Sequence, residues 1–285
     1  MNSTRFTTPE TSPRRSLLGC LILGACAAVG GCGGTEAITP RGGRGPGGEA
    51  RVVAVAAASD LKYALDEIAG DFRRSNPEVS LKIAYGSSGN FFAQLSNRAP
   101  FDIYFSADID YPRKLIAAGL ALKETEFSYA IGRIVVWVPA GSGLDVERLG
   151  IESLVDPSVR KIAIANPKHA PYGRAAVAAM RNLGVYERAE GRLVLGENIS
   201  QTAQFVETGA ADIGIIALSS AVSPAMKGKG RFWAVPLDAY PRLEQGGVVL
   251  SWARDKDAAM RLRDSVTRGE GRAVLKKYGF NLPGE

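Results

Sequence analysis

The chain has 285 residues, 46% of them hydrophobic and 22% charged. That balance fits a globular protein of one large or two ordinary domains and excludes a wholly disordered chain. The formal net charge of +6 is dispersed; without a run of five or six bases it marks no nucleic-acid tail, and no nucleic-acid partner is expected.

The first fifty residues read as an address. Arg14-Arg15 precedes the apolar run 16–25, and small residues follow it. A positive flank, an apolar core of about ten residues and a small-residue cleavage region make a secretory signal peptide. The run is too short and too Gly-rich for a transmembrane helix. Leu23-Gly24-Ala25-Cys26 resembles the bacterial lipobox, whose Cys is lipidated and becomes the mature N-terminus. Val29-Gly30-Gly31-Cys32 is a looser alternative. Residues 1–32 are therefore assigned to a lipoprotein signal region. Residues 33–50, Gly-rich and interrupted by Pro40 and Pro46, are assigned to a flexible tether with nothing to bury.

The three cysteines are Cys20, Cys26 and Cys32. Nothing beyond Cys32 can form a disulfide, a thiolate metal site or a Cys nucleophile. The single histidine, His169, rules out a multi-His zinc site. Its setting, Asn166-Pro167-Lys168-His169-Ala170-Pro171, reads as a turn with a solvated ring.

From Arg51 onward, strands and helices alternate. Residues 52–58 form a continuous apolar run, as in a strand buried on both faces of a parallel sheet. A helix follows with Leu61, Ala64, Leu65, Ile68, Ala69 and Phe72 on one stripe, closed by Asn76-Pro77. Val79, Leu81, Ile83 and Tyr85 alternate as a strand. Gly86-Ser87-Ser88-Gly89 turns into a helix around Phe91, Phe92 and Leu95. Then come a strand over 101–105, a helix over 112–118 and a strand over 134–138. The pattern continues with a strand at 161–165, a helix at 174–182, a short strand at 193–195, a helix at 198–207 and a strand at 213–217. A strand at 248–250 and two helices close the chain. Alternation of this kind predicts an α/β fold with helices on both sheet faces, here as two lobes with a cleft between them.

The chemistry of this pattern sits at helix starts. Ala58-Ser59-Asp60 and Gly86-Ser87-Ser88 each place small polar residues between a buried strand and a helix. In open α/β sheets, ligands bind beyond the carboxyl ends of the strands. Free N–H groups and the positive end of a helix dipole suit an anion without any Lys or Arg. Ser is also a favoured N-cap with no ligand role, so one Ser alone decides nothing. Pro171-Tyr172-Gly173 and Asn198-Ile199-Ser200 open two further helices, where Pro171 and Asn198 are ordinary boundary residues and Tyr172 can cap a core edge. No paired acids, nucleotide-binding Gly-rich fingerprint or Gly-x-Ser-x-Gly elbow occurs.

At these residues the chain resembles the molybdate-binding proteins that feed ABC importers, a branch of the bacterial solute-binding proteins. The likeness rests on 56–59, Tyr85-Gly86-Ser87-Ser88-Gly89, 102–108, 165–173, 209–215 and Lys277-Tyr278-Gly279-Phe280. It implies a two-lobed, type II periplasmic-binding-protein-like fold, with lobe 1 formed by 51–133 plus 236–285 and lobe 2 by 134–235. The crossing segments fall near 132–136 and 234–246. It implies that Ser59 and Ser88 donate hydroxyl and backbone hydrogen bonds to a tetrahedral oxyanion, and that the N–H groups of Tyr172 and Ile199 close on it from the other lobe. Many members have a further Tyr donor where this chain has Ala217; either that donor is lost or the Tyr172 hydroxyl replaces it. Asp60 is expected to point away from a dianion. Asp102, Asp108 and Asp212 are expected to be structural.

The resemblance further implies a monomer exported to the periplasmic side of the membrane and held there by a lipid anchor. It would capture molybdate or tungstate for the importer's permease subunits, with no cofactor, no direct metal ligand and no catalysis. The alternatives are another small oxyanion, such as sulfate or phosphate, or a small carboxylate, which would normally be held by an Arg through bidentate pairing. An exported α/β hydrolase or transferase is the third reading.

If the address is a lipoprotein signal, the protein partitions with membranes and Cys26→Ser releases it, as fractionation would show. Release by Cys32→Ser instead moves the processed residue, and retention of the double variant rejects the anchor.

Overall fold

The structure, a computed structural model, describes residues 51–285. The signal region 1–32 and the tether 33–50, with Cys26 and Cys32, lie outside the described residues.

The described chain builds two five-stranded sheets. The first begins with β1 (Arg51–Ala58), a single 3-10 turn (Ser59–Leu61) and α1 (Lys62–Ser75). It continues with β2 (Val79–Gly86), α2 (Ser88–Ser96), β3 (Ile103–Ser106), α3 (Asp110–Ala117) and β4 (Phe127–Gly132). One residue later β5 (Ile134–Pro139) opens the second sheet. There follow α4 (Val146–Leu149), β6 (Ile162–Ala165), α5 (Pro171–Asn182), α6 (Tyr186–Ala189), β7 (Leu193–Gly196), α7 (Ile199–Glu207), β8 (Ile213–Ala217), α8 (Leu218–Ala221) and β9 (Gly230–Ala234). The chain then returns to the first sheet through β10 (Leu243–Val249), and α9 (Lys256–Thr267) and α10 (Gly269–Lys277) end it.

The strand orders are β2-β1-β3-β10-β4 and β7-β6-β8-β5-β9. In the first, β1 pairs in parallel with β2 and β3, and β10 runs antiparallel between β3 and β4. In the second, β6 pairs in parallel with β7 and β8, and β5 runs antiparallel between β8 and β9. The two sheets thus share one wiring without any repeat in sequence. Each sheet with its covering helices is called a lobe below.

Both faces of each sheet are covered, which explains the continuous apolar runs. On β1, Val53, Val55 and Ala57 join the cluster under α1, α9 and α10, while Ala56 joins Phe91, Leu95 and Leu115 on the opposite face. In the second sheet, β5 divides the same way: Val136 and Val138 face the α5 cluster, whereas Val135 and Trp137 face Ala203 and Val206 of α7.

Several expected boundaries shift. The helix expected from residue 174 begins at Pro171, which occupies the first turn, where its missing N–H costs nothing. The strand expected at 101–105 begins only at Ile103, because Phe101 is held in a turn by its N–H to Ala99 O at 2.7 Å. The strand at 248–250 belongs to a longer one starting at Leu243. Its polar, Gly-containing first half, Leu243-Glu244-Gln245-Gly246-Gly247, hides it.

Asp102, 1% exposed, ties the first lobe together. Its carboxylate accepts the N–H of Ala54 on β1 at 2.7 Å and that of Arg254, which precedes α9, at 2.8 Å. Asp102→Ala leaves both donors unpaired, at about 1–3 kcal/mol. Thermal unfolding of the variant should fall by roughly 2–12 °C for a protein of this size.

Candidate functional site

Four strands end at one place. β1 and β2 of the first lobe deliver Ser59 and Ser88; β6 and β7 of the second deliver Tyr172 and Ile199. All four residues line one buried cavity of about 10 Å³, together with Ala58, Asp60, Ser87 and Ala107. Sequence reasoning placed these four together, and the structure does bring them together. No Lys or Arg lines the cavity.

Neither Ser59 nor Ser88 is a helix cap, contrary to the ordinary reading of such residues. Ser59 sits inside the 3-10 turn, where no side-chain cap bond forms. Ser87 caps α2, accepting the N–H of Asn90 at 3.4 Å, and Ser88 is the first helical residue. Each candidate hydroxyl instead accepts a backbone N–H: Ser88 Oγ that of Ala107 at 2.9 Å, Ser59 Oγ that of Ser200 at 3.4 Å. Among the described residues neither hydroxyl donates to a protein acceptor. An oxygen already accepting an N–H has its own hydrogen left to give.

The backbone adds donors. Ser88 and Ile199 are the first residues of α2 and α7, and Tyr172 is the second of α5, positions whose N–H has no partner inside a helix. Asn198 caps α7 by accepting the N–H of Gln201 at 3.0 Å, which leaves Ile199 N–H unclaimed. Gly173 lets α5 start this close to β6; a Cβ there would lie 2.1 Å from Ala165 O.

Asp60 is fully buried, and its carboxylate is engaged by Tyr172 of the other lobe and by Gln245 of its own. Oδ2 accepts the Tyr172 hydroxyl at 2.9 Å and the Gln245 amide at 2.6 Å. Gln245 Nε2 also donates to the Tyr172 hydroxyl at 3.1 Å. Asp60 Oδ1 and Gln245 Oε1 have no partner among the described residues. Burial raises the Asp60 carboxyl from 3.8 to about 6, against the lowering effect of Gln245 and then Tyr172. An acid raised by folding destabilises the folded state in its ionised form. Stability falls as pH rises from about 4 through about 6, by up to roughly 3 kcal/mol. The same burial, with the Asp60 charge, pushes the Tyr172 hydroxyl well above the ordinary range.

The Tyr172 hydroxyl is therefore committed to Asp60 and does not replace the donor that Ala217 lacks. Ala217 itself is fully buried at the end of β8. Sequence reasoning missed Gln245 altogether. Its one signal is the Gly246-Gly247 pair beside it, where β10 bulges against β4; bulges re-aim side chains.

His169 is not a solvated loop residue. Its Nδ1 lies 2.9 Å from Ser87 Oγ, its carbonyl accepts the N–H of Gly89 at 2.9 Å, and its Nε2 lies 3.6 Å from Glu197. The cause is the close approach of the lobes: a Cβ on Gly89 would lie 2.5 Å from His169 O. The histidine pairs with the capping Ser87 and not with Ser59 or Ser88. More contacts cross the lobes at Arg174–Asp108, 2.6 Å, and from Ser219 Oγ to Asp60 O, 2.7 Å. The three other acids are held by protein donors: Asp102 as above, Asp108 by Arg174, and Asp212 by the N–H groups of Arg160 and Lys161, both at 2.8 Å. Among the described residues no group of three or more His, Cys, Asp or Glu could hold a metal ion.

Known proteins share this architecture. A molybdate-binding protein of Rhodobacter capsulatus is 34% identical over 235 residues, 82% of this chain and 90% of that protein. One from Azotobacter vinelandii is 33% identical over 234 residues, 82% and 91%. The structure of the Azotobacter vinelandii periplasmic molybdate-binding protein superposes with a TM-score of 0.75 at 33% identity, covering 81% of this chain and 99% of that one. The family model of the bacterial extracellular solute-binding proteins matches residues 53–281, and the chain belongs to that family.

Proposed function

We propose that this protein captures molybdate or tungstate outside the cytoplasm and delivers it to an ABC importer. The observation that carries the reading is the neutral cage: two serine hydroxyls with hydrogens to spare and unpaired helix N–H groups from both lobes, converging without a cation. Such donors suit a fully ionised tetrahedral oxyanion, which presents acceptors on every side and needs none from the protein. The relatives named above support the choice of metal oxyanion.

In this reading Ser59 and Ser88 bind through hydroxyl and backbone, and Tyr172 and Ile199 through backbone N–H. The links at 133 and 235–242 between the sheets serve as the hinge, giving lobes of 51–133 plus 236–285 and 134–235. The protein works as a monomer, tethered by a lipid on Cys26 or Cys32, and performs no catalysis. Ala217 leaves the cage one donor short of the pattern with a Tyr there. Sulfate or phosphate is the second reading, because the same donors would also accept a smaller tetrahedral anion.

A comparison of anions of different size separates the two. Molybdate and tungstate are close in size and larger than sulfate. At 100 times its dissociation constant a ligand stabilises the native state by about 2.7 kcal/mol. Molybdate should thus raise the melting temperature by roughly 5–11 °C and shrink the radius of gyration in solution scattering. Tungstate should match it, and equal sulfate or phosphate should do little. A larger sulfate or phosphate shift would change the ligand.

Ser59→Ala and Ser88→Ala should each weaken molybdate binding about ten- to a hundred-fold, since a hydrogen bond to a charged group contributes roughly 1.5–3 kcal/mol. Calorimetry on the folded variants reads this, and affinities within twofold of wild type would remove the serines from the site.

Gly89→Ala sets two effects against each other. Ala favours the α2 helix by up to about 1 kcal/mol over Gly, which offsets the shift its Cβ asks of the Tyr111 hydroxyl, 2.9 Å away at the end of a flexible side chain of the same lobe; against backbone His169 O of the other lobe, at 2.5 Å, nothing can give way. The variant should roughly keep its thermal stability without ligand, bind molybdate at least about tenfold more weakly, and stay expanded in scattering when molybdate is added.

A further inference from the structure

The cluster of Asp60, Tyr172 and Gln245 is left unused by the neutral cage. It joins three elements: the turn after β1, the start of α5 in the other lobe, and β10 at its bulge, where the chain has just returned from the second lobe. Its space is reserved by Gly132, at the end of β4 just before the chain leaves the first lobe. A Cβ there would lie 2.3 Å from the Tyr172 hydroxyl and 2.7 Å from Gln245 Nε2. The carboxyl is 1% exposed as a residue, lines the cavity and touches Ser59 in sequence.

The groups that face this carboxyl are few. Tyr172 on α5 and Gln245 on β10 donate to Oδ2, and the Tyr129 phenol on β4 lies within electrostatic reach. From α8, Ser219 approaches the Asp60 carbonyl and not its carboxylate. The N–H groups of Asp60 and Leu61 favour the ionised form without completing a bond to Oδ1. None of these partners is a cation. A buried carboxylate with one unpartnered oxygen therefore stands beside the cavity where a dianion would sit.

We propose that Asp60 determines how tightly the pocket holds its anion: gripped between the lobes by Tyr172 and Gln245, it takes up a proton when the cleft closes over a dianion. The proposal rests on the oxyanion reading above. The balance is simple. One proton leaves the buffer and joins the Asp60 carboxylate, cancelling one negative charge next to the incoming ligand, and no other bond changes. Like charges held near one another in a low-dielectric site cannot both remain ionised at little cost. Burial already favours the acid form, and a dianion favours it further. Affinity then falls as pH rises above about 6, by at most tenfold per pH unit for one proton. Tyr172 and Gln245 are positioning residues. By donating to the ionised form they set the pH at which the change occurs, and through Tyr172 they hold the helix start that carries a binding N–H.

The test is molybdate binding to the full protein by calorimetry between about pH 6 and about pH 8.5, in buffers of different ionisation enthalpy. For wild type the proposal expects net proton uptake on binding and at least about tenfold weaker binding at the upper pH. Asp60→Asn removes the charge and keeps the shape, so it should bind with no proton uptake from this site and lose the pH slope to within about twofold. Tyr172→Phe removes a donor to the carboxylate and should shift the slope to higher pH without abolishing it, which a purely structural role would not do. His169→Asn is run alongside, because a histidine also changes charge in this range; it should leave the slope in place. A flat wild-type profile with no proton uptake overturns the proposal while leaving molybdate capture standing. So does a slope retained by Asp60→Asn or removed by His169→Asn. No molybdate binding at any pH overturns the oxyanion reading and the proposal with it. If Asp60→Asn does not fold, proton uptake that persists in His169→Asn supports the proposal, and uptake lost there or absent from wild type overturns it.

Discussion

The molecule is organised around backbone N–H groups that a helix cannot satisfy for itself. Each helix leaves its first donors without partners, and a buried one must find an acceptor. Here α2, α5 and α7, with the 3-10 turn before α1, all begin beyond the carboxyl ends of parallel strands and all point at one small cavity. The turn residues need not be charged. Their job is to be small, to stay out of the way and to leave donors open, which is why Ser, Gly, Ala and Pro dominate these four starts. The wiring shared by the two sheets places equivalent strand ends on both sides of that cavity.

Electrostatics then constrains what else can be near. A cage of neutral dipoles concentrates positive potential without a mobile counter-ion, so it needs no Arg or Lys, and the cavity has none. Two other acids of the first lobe are handled differently from each other. Asp108 is neutralised by Arg174 across the lobes at 2.6 Å, and Asp102 is consumed by backbone donors inside the first lobe. Asp60 is neither. It is buried, given only neutral donors, and pushed up to about 6. Burial makes protonation favourable for such an acid, and the Tyr172 bond across the lobes ties its protonation state to the distance between them.

Much of this was legible in the sequence, and the reasons differ by element. The buried parallel strands and amphipathic helices showed through because both faces of β1, β6 and β8 are covered, giving short continuous apolar runs. Ser59, Ser88, Tyr172 and Ile199 could be singled out because strand-to-helix junctions are readable as composition changes, and the family resemblance ordered them. What stayed hidden depends on contacts between residues far apart. Edge strands β4 and β9 are only partly apolar and so lack a strong period. Asp60 read as an ordinary first-turn acid, and its partners lie 112 and 185 residues away. His169 read as solvated because a turn rich in Asn, Pro and Lys is usually solvated, and nothing local tells that Gly89 comes from the other lobe to cover it. The choice between Ser87 and Ser88 as cap was also not local: it was settled by Ala107 N–H, which claims Ser88 Oγ from a third strand.

These long-range contacts also decide how closure works. Helix starts on each rigid lobe are present whether the cleft is open or shut, but the starts of both lobes can reach one anion only when the lobes meet; contacts made only in the shut form are what make it favoured. In this protein such contacts fall into two sets. At the rim, the Gly89–His169 and Ser87–His169 bonds are available to the closed lobes with or without a ligand. At the back, Tyr172 reaches across to the buried Asp60 carboxylate, which Gln245 of the first lobe also holds. The first set favours closure, whereas at the back the hydrogen bond gained across the lobes is set against the burial of an ionised Asp60. In the proposed reading an anion bonded from both sides adds to the contacts that only the shut form makes, and protonation of Asp60 removes the charge that its burial penalises.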